Sequence, residues 1–147
     1  MYHYKTCGLD GIYLKNGYEV TETAEGSAVS IHDIYSLHRV IAKGLIEKAS
    51  PLTGREFRFL RIEMDMSQRA VGDLMDKTDQ IIAKWEKGQN KIPVLADKAM
   101  RDLYMDSIGE SPIAGLLKRF KELDREIHEL EFQLSETDDG WQLDRCA

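Results

Sequence analysis

The sequence predicts a mainly α-helical chain. A small N-terminal β-hairpin-plus-helix unit comes first, then a helical bundle, then a C-terminal heptad helix. Three observations predict this. Between Thr53 and Gly109, helix-capping residues alternate with apolar positions at helical spacing. Asn16-Gly17, the dipeptide preferred in a two-residue type I′ turn, stands between two alternating runs. From Ile113 onward, apolar residues recur at alternating spacings of three and four. The 147 residues therefore divide into an N-terminal unit, 1–50, a bundle, 51–109, and a C-terminal segment, 110–147.

Tyr2 to Gly8 shows no clear period. A β-hairpin is expected from Leu9 to Thr23, with Ile12 and Leu14 before the Asn16-Gly17 turn and Tyr18 and Val20 after it. Ala24 to Ser27 reads as a turn, and Ala28 to Ile31 as a short third strand. Asp33 starts a helix whose stripe is Ile34, Leu37, Ile41, Leu45 and Lys48, with Val40 beside it. Ser50-Pro51-Leu52 breaks the chain. Thr53 and Glu56 have capping-box spacing, and the helix to Met64 buries Phe57, Leu60 and Met64. Asp65-Met66 turn the chain.

The stretch from Arg61 to Pro93 organises the rest. Ser67 caps a short helix with Val71, Leu74 and Met75 on its apolar face. Asp76 and Lys77 make a tight turn. Thr78 caps a second helix with Ile81, Ile82 and Trp85 apolar, and Gly88 ends it. After Pro93, a helix with Leu95, Ala99, Met100 and Leu103 inward runs to Gly109. Ser111-Pro112 opens the last helix, whose seam is Ile113, Leu116, Phe120, Leu123, Ile127, Leu130 and Leu134. Pairing of this seam between two protomers is the preferred reading, and packing on its own domain is the other. The tail that follows is acidic and expected to be mobile, with Trp141 and Leu143 able to dock.

Composition narrows the function classes. The apolar and charged content is that of a folded globular chain. No apolar run approaches membrane-spanning length, and no signal-peptide pattern opens the chain, so a cytoplasmic protein is expected. Cys7 and Cys146 sit at opposite ends and form no CxxC. His3 and Cys7 are close enough in sequence to share an ion, with His32 and His38 as further candidates, but the ligand pairs of a zinc site are missing, and neither metal nor another cofactor is expected. No nucleophile triad, paired-acid site or phosphate-cradling glycine loop is present, so no catalysis is expected. The formal net charge is −6. Residues 53–93 carry eight basic and seven acidic side chains, against five and ten in residues 110–147. Acid is thus concentrated away from the paired helices.

Leu60-Arg61, Ser67-Gln68, the apolar Ile82 and Trp85, and Trp85-Glu86-Lys87-Gly88 followed by Pro93 together carry a resemblance. The stretch resembles the helix-turn-helix of the Xre and lambda-type repressor family. That resemblance implies a lambda-repressor-like bundle whose second helix enters a DNA major groove. It implies that Asp79, Gln80, Ala83 and Lys84 face base edges, and that Gln68, Thr78, Lys87 and Lys91 meet phosphate. It also implies an ion pair between Arg61 and Glu86. Asp76 stands where the family's turn usually has glycine. Asp79 puts a carboxylate where an amide or hydroxyl is commoner, a group able to accept from cytosine N4.

Tyr2-His3-Tyr4, Cys7-Gly8-Leu9-Asp10, Tyr13-Leu14 and Leu37-His38 carry a looser resemblance to the regulator group that includes MqsA-type antitoxins. Those antitoxins hold zinc with two CxxC pairs, which this sequence lacks. The expectation is a homodimeric, sequence-specific repressor on near-palindromic double-stranded DNA. The group adds the expectation of an antitoxin that represses its own operon and binds a toxin protein. A stand-alone or phage-type repressor is the neighbouring reading. A protein-interaction adaptor whose paired helices meet no DNA is the reading from another class.

Overall fold

Side-chain caps mark the start of four helices, and Pro93 precedes the fifth without one. The computed structural model describes residues 1–110 and 133–144, which hold five helices and three two-stranded antiparallel sheets. The helices are α1 (Ile34–Glu47), α2 (Gly54–Glu63), α3 (Gln68–Met75), α4 (Asp79–Glu86) and α5 (Val94–Ser107). The strands are β1 (Tyr2–His3), β2 (Tyr13–Leu14), β3 (Tyr18–Thr23), β4 (Gly26–Ile31), β5 (Gln133–Thr137) and β6 (Gly140–Asp144). The fold of the described residues is mainly α, with small hairpins. Asp33, Thr53, Ser67 and Thr78 each accept a backbone N–H at the start of a helix, and Thr53 with Glu56 closes a full capping box.

The expected hairpin around Asn16-Gly17 does not form. β2 pairs instead with β1, Tyr2 opposite Leu14, and β3 pairs with β4. The reason lies at Thr23 to Gly26. Gly26 takes φ 121, and the Thr23 hydroxyl donates to the Gly26 carbonyl, closing a two-residue turn that registers six pairs. Asn16-Gly17 becomes the bend between the two sheets, where Gly17 has φ 79 and its carbonyl accepts from the His32 N–H at 2.8 Å.

Most of the expected stripe turns inward on α1 (Leu37, Ile41, Leu45) and on α5 (Met100, Leu103), and the edges of both faces differ. On α1 the inward residues are Leu37, Ile41, Ala42 and Leu45, while Ile34 and Val40 are exposed. Ala42 is completely buried, and α1 packs on α2. On α5 the inward residues are Ala96, Met100, Leu103 and Tyr104, and Leu95 is 81% exposed. Asp97 fixes that face. It accepts from the Leu52 N–H at 2.7 Å and from Arg101 at 2.6 Å. Arg101 in turn donates to the carbonyls of Ile46, Lys48 and Ser50. The Ser50-Pro51 break is thus held to α5 by a half-buried charged clasp.

Phe57, Leu60, Val71, Ile82 and Met100 are completely buried, and Phe57 meets Trp85 edge to face at 5.8 Å. Tyr4, Leu9 and Leu14 belong to the same core, so apolar packing continues across the break at Ser50.

Residues 111–132 lie outside the described residues, and with them Ile113, Leu116, Phe120, Leu123, Ile127 and Leu130 of the expected seam. Leu134 is corrected from the last seam position to β5, opposite Leu143. The acidic tail is likewise ordered as a hairpin over 133–144. Gly140 takes φ 108 and accepts from the Thr137 hydroxyl at 2.9 Å, turn chemistry that a helix has no place for.

Candidate nucleic-acid interface

α3 and α4 are eight residues each and join through a turn that only certain side chains allow. Asp76 takes the left-handed conformation, φ 54 and ψ 46, the geometry for which glycine is the default and aspartate the tolerated substitute. The Lys77 N–H donates to the Gly72 carbonyl at 2.8 Å. Gly72 is buried against this turn, and a β-carbon there would collide with the Lys77 carbonyl oxygen. Gly54, at the first turn of α2, faces the carbonyls of Trp85 and Glu86 closely enough that a β-carbon would overlap both. Gly88 ends α4 with φ 73.

α4 is anchored by its inner face. Ile82 is fully buried and Trp85 nearly so. Glu86, 7% exposed, is the anchor of a charged clamp. Arg61 grips it bidentately, Nε to Oε2 at 2.7 Å and a terminal nitrogen to Oε1 at 2.9 Å, and gives its other terminal nitrogen to the Met66 carbonyl at 2.9 Å. Gln68 adds a third donor to Glu86 at 3.1 Å. The clamp therefore ties α2, the start of α3 and the end of α4 together. The Arg61–Glu86 pair was expected. The Gln68 bond was not, because an amide at a helix start gives no sign in the sequence of which distant carboxylate it meets.

The opposite face of α4 is left to solvent. Asp79, Gln80 and Lys84 are exposed and Ala83 is half-buried, on one side of the helix. Thr78, Lys87 and Lys91 are exposed around that face, while Gln68 is half-buried with its amide engaged by Glu86. Charge is graded along the face. Asp73, Asp76 and Asp79 lie by the turn together with Arg69 and Lys77, and Lys84, Lys87 and Lys91 follow without an acidic neighbour on that face. Asp79 sits in the first turn of α4, where the helix dipole favours an anion. The arrangement presents one amide, one carboxylate and one ammonium on one face, a set of hydrogen-bond donors and acceptors open to solvent.

The other residues considered for chemistry are not brought together. His3 reaches the Asp10 carbonyl and stacks on Tyr13, and His32 lies 3.6 Å from Glu19. Among the described residues no group of three metal-ligating side chains converges. His38 forms a relay that the sequence reading missed. Its Nε2 meets the Tyr4 hydroxyl at 2.8 Å, and its Nδ1 meets Glu63 at 2.7 Å. Burial pushes the Tyr4 phenol above its ordinary range, with Cys7, Glu63 and Tyr2 adding to the effect. The Tyr4–His38 end of this relay is part-buried, while its Glu63 end is open to solvent.

No family model, curated protein or solved structure matches the chain. Among the described residues, no helix is long and apolar enough to cross a membrane.

Proposed function

We propose that the chain is a sequence-specific regulator that binds double-stranded DNA through a lambda-repressor-like helix-turn-helix, with α4 as the recognition helix. One observation carries the reading. A left-handed Asp76 turn, a buried Gly72 and the Arg61–Glu86–Gln68 clamp hold α4 across α3 with its inner face spent on packing. That rigid support has no core purpose for the outer face, which is left carrying Asp79, Gln80, Ala83 and Lys84. In this reading Gln80 and Lys84 donate to base edges, and Asp79 accepts from cytosine N4. Lys87, Lys91 and the Thr78 hydroxyl meet phosphate, and α3 lies across the backbone. Gln68 keeps one amide hydrogen for phosphate while the other stays on Glu86.

One recognition helix reads only a few base pairs, so the active form is a homodimer on a near-palindromic operator. The looser resemblance to antitoxins extends the proposal to repression of its own operon and to pairing with a toxin protein, and a stand-alone repressor is the neighbouring reading. Selection of binding sites from a random DNA pool tests the proposal. A recovered palindrome with half-sites one turn apart supports it. An unenriched pool overturns it in favour of a protein-interaction adaptor.

A further inference from the structure

The two exposed hairpins are one element present twice. Residues 20–29 read VTETAEGSAV and residues 134–143 read LSETDDGWQL. Both tips close in the same way. Thr23 pairs with Gly26 and Thr137 with Gly140, and in each the threonine hydroxyl donates to the glycine carbonyl, at 2.5 and 2.9 Å. A glutamate, Glu22 or Glu136, precedes each threonine. An apolar cross-strand pair lies at the same distance from each tip, Val20 opposite Val29 and Leu134 opposite Leu143. By strand alternation, Val20 and Glu22 share a face, as do Leu134 and Glu136.

The repeated residues do not serve the core. Val20 is 54% exposed, Leu134 59% and Trp141 71%. Each hairpin is a sheet of two strands, and among the described residues no third strand pairs with either one. The hairpins are also where the chain keeps its net charge. Residues 18–31 hold three acidic side chains and residues 133–144 hold four, and neither stretch holds a Lys or Arg. Removing these seven from the 26 acidic residues leaves 19 against 20 basic ones in the rest of the chain. The whole excess that makes the chain −6 sits on two small sheets with apolar faces.

That charge decides what can cover them. Hairpin against hairpin, within one chain or between copies, sets acid against acid. Nucleic acid and anionic lipid are repelled for the same reason. What fits is an extended segment with alternating basic and apolar side chains. Its backbone extends the open ladder, its apolar side chains cover Val20 or Leu134 and Trp141, and its cations meet the carboxylates. We propose that each hairpin docks such a segment of a basic partner protein, giving one chain two equivalent docking sites. The inference does not depend on the DNA reading.

The full chain is titrated with an end-blocked alternating Lys-Val peptide, beside Glu-Val and Lys-Ser controls. Calorimetry is expected to give two Lys-Val peptides per chain, with affinity falling as salt rises. The fluorescence of exposed Trp141 is expected to shift blue, while buried Trp85 stays constant. Val20→Thr with Val29→Thr keeps β-branched residues, so the strands persist, and is expected to remove one site while leaving the blue shift. Leu134→Thr with Leu143→Thr is expected to remove the other site and the shift. Glu22→Gln still accepts the Ser27 hydroxyl bond and is expected to weaken its site about threefold. Equal binding of the Glu-Val peptide, no binding at all, or two sites surviving in the variant with all four threonines would overturn the proposal. So would light scattering in which the wild-type chain forms an assembly, before peptide is added, that the variant with all four threonines does not form.

Discussion

Glu86 is the residue on which the placement of α4 turns. A nearly buried carboxylate is costly unless its oxygens are satisfied, and here Arg61 and Gln68 supply three donors. Glu86→Ala leaves the half-buried Arg61 guanidinium with the Met66 carbonyl alone, and a loss of about 3–5 kcal/mol is expected. Arg61→Ala should cost a similar amount. The double variant should cost clearly less than the sum, because no charge is then left unpaired. Chemical denaturation of the three variants checks this, and additive losses would refute the pairing. Gly72→Ala belongs to the same scale. Its β-carbon would press on backbone rather than on a side chain that can swing aside, so about 1–3 kcal/mol should be lost. Much at this scale was legible in the sequence. Caps are read from single residue types, and Ser67, Thr78, Thr53 and Asp33 all cap as their chemistry suggests. The tight approach of Gly54 to the end of α4 was not legible, since a glycine does not announce which distant backbone it makes room for.

At the scale of elements, helix positions were easier to read than strand partners or the edges of helix faces. A helix closes its hydrogen bonds within one segment, so its span follows from local residues. A strand needs a partner, and two candidate turns competed here. Thr23 to Gly26 prevailed over Asn16-Gly17 because it registers six pairs, and no local propensity outweighs that many ladder contacts. The start of the α5 stripe was misread because Val94, Leu95 and Ala96 are consecutive and any could have started it. The buried Asp97 carboxylate, bonded to Leu52 and Arg101, chose Ala96. The element that matters most for the proposed function is the outer face of α4. Gln80→Ala and Lys84→Ala should each lose about 1–3 kcal/mol of discrimination at one base position per half-site. Stability should hardly change, because both side chains are exposed. Relative affinities across a set of operator variants check this, and an unaltered sequence preference would show that α4 does not read bases.

For the whole molecule, one shared core and several polar links join residues 1–50 to the later helices, Arg55 donating to Asp10 among them. Arg101 and Asp97 hold the Ser50 break to α5, and Tyr4, His38 and Glu63 run from the first strand through α1 to α2. The burial that raises the Tyr4 phenol makes that contribution pH-dependent. The folded state prefers the neutral phenol, so its stability is fully present below the unfolded value of 10.0 and is lost as pH rises beyond it. Tyr4→Phe should therefore lower stability by about 0.5–1.5 kcal/mol near neutral pH and flatten the alkaline decline. Urea unfolding at a series of pH values checks both. Charge is the other property of the whole chain, and it bears on assembly. Outside the two hairpins, 20 basic side chains face 19 acidic ones, so no strong field draws the chain to DNA, and phosphate neutralisation falls to a few lysines. Each neutralised phosphate contributes about 0.9 to the slope of log affinity against log salt. A monomer that loses Lys87 by Lys87→Gln should see the slope fall by about 0.9, whereas a symmetric dimer loses that contact twice and should see about 1.8. Lys91→Gln should repeat the result independently. DNA titrations at several salt concentrations thus count protomers on the operator from residues at the interface itself. A change near 0.9 for both lysines would place a single copy on the DNA and remove the dimer from the proposal, while no change would remove both lysines from the interface.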